Sequence, residues 1–197
     1  NVKDMYATQE DWEQELKDIS EIIDRVAAFE GKAAENAQNL FTVLENLAKA
    51  GEKLDKAYNY AERLFDEDQT NTTHQAMSAK AYSAYASCGS KTAFVDPEII
   101  AIPENVLETF YKEVPGLELY RKQIAEIRRM KEHCLSSEME KLLAMTAEMS
   151  QTPADTFSIL NNADLIFPEI EDEKGEKVRI THGRYGQFLQ SANRRVR

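Results

Sequence analysis

Asp66, Asp68 and Thr70 spell D-x-D-x-T. At the end of a β-strand that spacing can present a nucleophilic carboxylate, an acid/base carboxylate and a phosphate-binding hydroxyl. The residues before it, Tyr58 to Phe65, carry helical periodicity instead, and no glycine-rich anion cradle lies nearby. The run therefore reads as a solvated acidic helix end, and a phosphohydrolase built on Asp66 and Asp68 would need a strand before Asp66. It also fails as a calcium loop. Asn71 stands where the sharp turn needs glycine, and Met77 stands where the bidentate glutamate belongs. Three histidines occur, His74, His133 and His182, followed by Gln75, Cys134 and Gly183. None opens the H-E-x-x-H helix that sets two imidazoles on one face with a general base between them. The side chains of His133 and Cys134 diverge on a helix, so the pair is a poor metal site, and all three histidines read as structural or surface residues. No G-x-S-x-G elbow marks a nucleophile, although spacing does not exclude a triad assembled from distant positions. Arg184, Arg194, Arg195 and Arg197 form a basic cluster on an acidic chain. It could meet a phosphate or a peptide carboxylate, but pairing with acidic neighbours is the simpler reading. No catalytic residue and no metal ligand is assigned to this chain. No cofactor is expected on it, and zinc binding is expected to be weak at most.

The elements that would position these groups are mostly helices. Thr8 and Asp11 have capping-box spacing. Behind them Trp12, Leu16, Ile19, Ile23, Val26 and Phe29 recur at helical steps, with Gly31 as the stop. A second stripe runs Leu40, Leu44, Leu47, Gly51, Leu54, Tyr58, Ala61 and Phe65 and suits nearly antiparallel packing. Gly51 either continues it or divides it into two helices. Asp66 to Thr73 is a turn or a helix start, followed by a helix with Met77, Ala81, Ala84, Tyr85 and Cys88 on one side. Asp96 before Pro97 reads as an N-cap with proline at the first helical position, and Pro103 repeats the device for a short helix through Tyr111. Pro115-Gly116 is the clearest boundary. Beyond it Leu119, Ile124, Ile127 and Met130 mark a helix, Ser137 and Glu140 a second capping box, and Pro153 the start of a helix through Leu160. The pattern then alternates: Leu165 to Ile170, a turn at Asp172 to Gly175, then Val178 and Ile180 predict a β-hairpin near 165–181. Thr181 can cap a last helix with Tyr185, Phe188, Leu189, Ala192 and Val196 on one face.

Composition agrees. Of 197 residues, 42% are hydrophobic and 30% charged, so a packed core is expected and disorder is not. Seven glycines and five prolines are too few for the turns of a sandwich or barrel. The net charge of -11 favours solubility and repels nucleic acid. No apolar run is long enough to span a bilayer, so no membrane role is expected. Cys88 and Cys134, two unclustered thiols, suit a reducing cytoplasm. The chain starts at Asn1 rather than Met and stops inside a helical pattern, as expected of a segment of a longer protein.

Taken in order, these segments resemble the N-terminal region of the oligoendopeptidase F family, zinc-dependent oligopeptidases of the wider thimet-oligopeptidase superfamily. The resemblance rests on Asp11-Trp12-Glu13, Phe29-Glu30-Gly31-Lys32, Tyr58-Asn59-Tyr60-Ala61 and the acidic turn from Asp66 to Asn71. Pro97-Glu98-Ile99 extends it. Its sharpest part is His133-Cys134-Leu135-Ser136 followed by Glu140-Lys141-Leu142-Leu143-Ala144, similar to the family's H-x-L-S and E-x-L-L-A. Asn162-Ala163-Asp164-Leu165-Ile166-Phe167-Pro168, Gly175 and the run Ser191 to Arg197 complete it. Asn193 stands where the family commonly has Asp, and Met139 where another acidic residue is frequent.

The resemblance implies a largely helical enzyme with a deep channel between two halves. Its zinc-binding H-E-x-x-H and a further glutamate ligand lie in a C-terminal half that this chain does not include. The expected fold is mainly α, an antiparallel helical bundle-like region over 1–115, helices plus the hairpin over 116–181, and over 182–197 a first helix leading into the catalytic half. The expected role is one wall or lid of a channel that admits short peptides. The expected partners are an oligopeptide substrate and the catalytic half. Tyr185, Phe188, Leu189, Ala192 and Val196 would contact that half, or mediate self-association where it is missing. The competing reading is a free-standing helical interaction module with no enzyme attached.

Overall fold

The computed structural model describes residues 2–197, apart from the side chain of Lys3. The chain forms two compact units, one ending at Thr152 and the other running from Pro153 to Arg197.

The first unit is built on three long helices: α1 (Gln9–Ala27), α2 (Ala37–Glu67) and α3 (Thr72–Thr92). Thr8 and Asp11 close the expected reciprocal capping box at the start of α1. The helix ends at Ala27, before Phe29, and Gly31 supplies a left-handed turn (φ +77°) in the connection to α2. Gly51 does not divide α2, which runs unbroken for 31 residues. A mid-helix glycine costs about 1 kcal/mol, and the apolar residues buried on both sides of it outweigh that.

The three helices lie antiparallel in sequence, as cross-links along their length show. The Trp12 indole near the start of α1 donates to the Ala57 carbonyl late in α2 (2.9 Å). Ser78 early in α3 donates to Glu62 late in α2 (2.5 Å). Lys80 and Lys91 of α3 pair with Glu13 and Asp24 of α1. Trp12, Leu16, Ile19 and Ile23 of α1 close a core with Ala50, Leu54, Ala57 and Tyr60 of α2 and with Met77 and Ala81 of α3.

The N-terminal half of α2 belongs to a second core. Leu40, Val43 and Leu44 meet Val95 and Ile99 of α4 (Val95–Ala101) and Leu107, Phe110 and Tyr111 of α5 (Glu104–Glu113). Ile124 of α6 (Arg121–Arg129) joins them. Pro115–Tyr120 is a 3-10 turn leading into α6, and its Leu117 is buried in the same core, so packing crosses Pro115-Gly116. A Cβ on Gly116 would come within 2.6 Å of the Phe41 ring, which explains the glycine there. Leu119, read as part of the helical stripe, is exposed.

Two carboxylate and guanidinium clamps tie the elements of this core together. The Glu98 carboxylate accepts from the Gly31 and Ala33 amides (2.6 and 2.9 Å), fixing the α1–α2 connection to α4. The Arg128 guanidinium donates to the Ile99 and Ile102 carbonyls at the end of α4 and to Glu104 (2.8 Å).

Three caps differ from the sequence reading. Phe94, not Asp96, stands at the N-cap of α4, and no side chain caps that end. At α7 (Ser137–Met145) the cap is Ser136, whose hydroxyl accepts from the Met139 amide, while Glu140 reaches back to the Leu135 amide (2.8 Å). The expected Ser137–Glu140 capping box is therefore not formed: Ser136 caps the helix alone, and Glu140 satisfies an amide just outside it. Pro153 lies inside α8 (Ala147–Ile159) rather than opening it.

In the second unit a π-turn at Leu160–Asp164 follows α8. The predicted hairpin is present but short. Antiparallel strands β1 (Glu169–Glu171) and β2 (Lys177–Arg179) pair Ile170 with Val178, and Gly175 (φ +83°) makes the turn. Thr181 caps α9 (His182–Leu189) as expected, its hydroxyl accepting from the Arg184 amide. The last helix stops at Leu189, so Ala192 and Val196 do not share a helical face with Tyr185, Phe188 and Leu189. A turn replaces it. The Ser191 hydroxyl donates to Glu173 and accepts from the Asn193 amide, and the Asn193 side chain accepts from the Arg195 amide. The architecture is mainly α with one hairpin, as the sequence predicts.

Candidate functional site

Asp66 lies in the last turn of α2, and Asp68 and Thr70 lie in the turn that leads to α3. The preceding chain is the end of α2, not a strand. The Asp68 carboxylate accepts from both the hydroxyl and the amide of Thr70 (2.6 and 3.0 Å), and these bonds hold its pKa below the ordinary carboxylate value. A carboxylate stabilised by its own turn is a poor nucleophile and a poor proton acceptor. Asn71 next to it caps α3 through the Thr73 and His74 amides.

The chemistry-bearing residues of the sharpest motif gather elsewhere. His133, Cys134 and Glu140 line a cavity of about 540 Å³ together with Asp96 at the start of α4. Its walls are mixed: Leu44 and Leu47 of α2, Val95 of α4, Ile127 of α6 and Leu143 of α7 supply the apolar part, and Thr92 and Gln123 add to the polar one. Burial, and then the charge of Glu140, raise the Asp96 pKa. Burial also raises that of Cys134, with Glu140 and Asp96 adding to it. The thiol is thereby kept protonated and unreactive, which does not suit covalent catalysis. Cys88 is likewise raised by burial.

The raised Asp96 pKa has a stability consequence. A carboxyl that binds its proton more tightly folded than unfolded makes the fold less stable as pH rises from the ordinary carboxylate value through the folded pKa. Asp96→Asn is therefore expected to raise the unfolding temperature at pH 7, by the equivalent of less than about 1 kcal/mol, since the carboxyl is only partly withdrawn into the cavity and solvent still reaches the residue and screens it. The gain should vanish at a pH below the ordinary aspartate range. Thermal melts of both proteins across pH 3 to 7 check it, and a gain that persists at the acid end would contradict the assignment.

In the second unit His182 faces Asn161 (3.0 Å) and packs edge-on against Phe167. The start of α9 thus meets the family-like run that ends at Pro168, through Phe167. Arg195 of the basic cluster pairs with Glu171 and donates to the Asp172 carbonyl (3.2 Å), so it clasps the hairpin turn, as acidic pairing predicts. Arg184, Arg194 and Arg197 are exposed. Tyr185 and Leu189 are each about half exposed (56% and 50%), Phe188 is half-buried, Ala192 is exposed and Val196 is buried.

These side chains do not fit a zinc ion. Among the described residues, no three His, Cys, Asp or Glu side chains come together as a ligand set. Among them too, no helix is long and apolar enough to cross a membrane. Sequence reasoning had the motif that carries His133 and Glu140 but missed that Asp96 faces it and that Glu98 is a clamp.

The comparisons with known proteins bear on the whole chain. Residues 98–167 match the family model described as Oligopeptidase F. The chain is 38% identical over 196 residues to the oligopeptidase PepF of Bacillus subtilis, covering all of this chain and 29% of that protein. It is 34% identical over 193 residues to the group B oligopeptidase PepB of Streptococcus agalactiae, covering 98% of this chain and 32% of the relative. The crystal structure of oligoendopeptidase-F from Enterococcus faecium superposes with a TM-score of 0.86 at 35% identity, over 95% of this chain and 36% of that one. The chain thus spans about a third of the length of the relatives it matches. With agreement in both sequence and fold across nearly its full length, this chain belongs to the oligoendopeptidase F family and corresponds to its N-terminal region.

Proposed function

We propose that this chain is the non-catalytic N-terminal part of a zinc-dependent oligoendopeptidase that cleaves short peptides, and that it forms one wall or lid of the substrate channel. One observation carries the reading: the match to an oligopeptidase runs the full length of this chain but occupies only 29% of that relative. The chemistry is then assigned to the part of the protein beyond this region. The role left to this chain is steric and electrostatic, excluding bulky substrates and water from the channel. Tyr185, Phe188, Leu189, Ala192 and Val196 are proposed to contact the catalytic half. The acidic charge and separate thiols suit a cytoplasmic enzyme.

Peptide cleavage by the full-length protein is expected to stop with a chelator and return with zinc. The 197-residue chain alone is expected to cleave nothing and to bind zinc more weakly than micromolar in a calorimetric titration. Cleavage by the isolated chain that survives chelator would overturn the assignment. Leaving a Phe or Leu uncovered forgoes roughly 1.5–3 kcal/mol, so the isolated chain is also expected to self-associate through Tyr185, Phe188 and Leu189. Sedimentation equilibrium should show dimers or larger species that Phe188→Ser weakens; a strict monomer at all concentrations would refute this.

A further inference from the structure

We infer that α7 and the first turns of α8 form a docking face for the remaining two thirds of an oligoendopeptidase F chain. Among the described residues up to Thr152, the exposed large apolar side chains before Met130 are Tyr85 and Leu119 alone. They crowd after it. Leu142, Met145 and Met149 are 62%, 65% and 77% exposed, and Met139 and Leu143 are more than half exposed. α7 buries none of its nine residues. The contrast with α1 is sharp, since that helix buries six side chains within this chain's own core.

A nine-residue helix is marginal in water on its own, and one with so much uncovered apolar surface is an interaction site rather than a solvent face. Three methionines in the patch suit it further, because flexible thioethers conform to a partner's shape. The occupant follows from permanence and length. A transient partner would leave α7 uncovered between encounters, whereas a covalently attached segment is always at high effective concentration. The relatives are about three times as long as this chain, covering it end to end with most of their length left over. The inference rests on the proposed function only for the existence of that remainder.

Hydrogen exchange at residues 137–149 tests it, measured in the 197-residue chain and in the full-length protein that contains it. Protection there is expected to rise at least about tenfold in the full-length protein. Equal exchange in the two would overturn the inference. Protection that rises with concentration in the 197-residue chain would also overturn it, in favour of a second copy as occupant. The double substitution Leu142→Asp with Met149→Asp gives an independent reading. It should leave the melting temperature of the 197-residue chain unchanged and lower that of the full-length protein by several degrees; an equal shift in both would count against the face. Peptidase assays on the same samples separate the two proposals. An active protein with unprotected α7 sinks the docking face alone, and an inactive one with protected α7 sinks the proposed function alone.

Discussion

Trp12→Ala is expected to lower the stability of the first unit by about 3–5 kcal/mol, the range for emptying a fully buried aromatic site. Trp12 has no exposed surface, and its ring packs against Tyr60 of α2 with centroids 6.5 Å apart. Its indole N–H is the polar bond that fixes the height of α1 against α2, and its neighbours come from all three long helices. None of these can collapse into the space without shifting a helix, so the cavity persists. Trp12→Phe keeps part of the volume but not the donor, and should cost about 1–3 kcal/mol less than the alanine variant. Urea unfolding followed by far-UV circular dichroism reads both, because the chain's one tryptophan is lost in each variant. A loss below about 1 kcal/mol for Trp12→Ala would mean that α1 is not held where this core places it.

What was legible in the sequence is what periodicity can carry. The stripe from Trp12 to Val26 and the stripe along α2 each lie on one long helix, so their burial repeats every three to four residues and shows in the chain. Where tertiary packing outbids local preference the signal fails. Gly51 is tolerated because α2 is held from both sides, whereas nothing in the structure explains Pro153 inside α8, which buries no residue. The displaced cap at α7 has a similar cause: Ser136 and Ser137 are equally good caps by type, and only the reach of Glu140 back to Leu135 chooses between them. At the chain's end the apolar spacing of Ala192 and Val196 imitated a helix. Ser191, Asn193 and Arg195 spend their side chains on local turn bonds and on the hairpin, which compete with helical bonding. The cavity with Asp96 and Glu140 was not legible at all. Those residues lie on different helices, and no pattern along a chain records which loops meet.

Glu98→Ala is the second large effect, expected to cost about 2–3 kcal/mol. Two backbone amides, of Gly31 and Ala33, converge on one carboxylate, and hydrogen bonds to a charged acceptor contribute about 1.5–3 kcal/mol each. The Gly31 amide is exposed and can rehydrate, so the sum falls short of twice that figure. The turn that carries both amides passes through Gly31 at a positive φ (+77°), which only glycine adopts without strain. A Cβ at Gly31 would meet nothing within 4 Å, so Gly31→Ala acts through the backbone alone and should cost about 1 kcal/mol. The two substitutions loosen the same connection, so the double variant should lose less than the sum of the singles. Glu98→Gln is a sharper control. Its carbonyl oxygen can keep one amide, but its NH₂ then faces the other donor, so most of the loss should remain. Hydrogen exchange localises the effect: the amides of Gly31 and Ala33 should lose protection in Glu98→Ala while those in the middle of α2 keep theirs. If both amides exchange as slowly as in the parent chain, the carboxylate is not what holds the α1–α2 connection against α4. The packing of Val26, Ala33 and Ala37 in the second core would then have to do it alone.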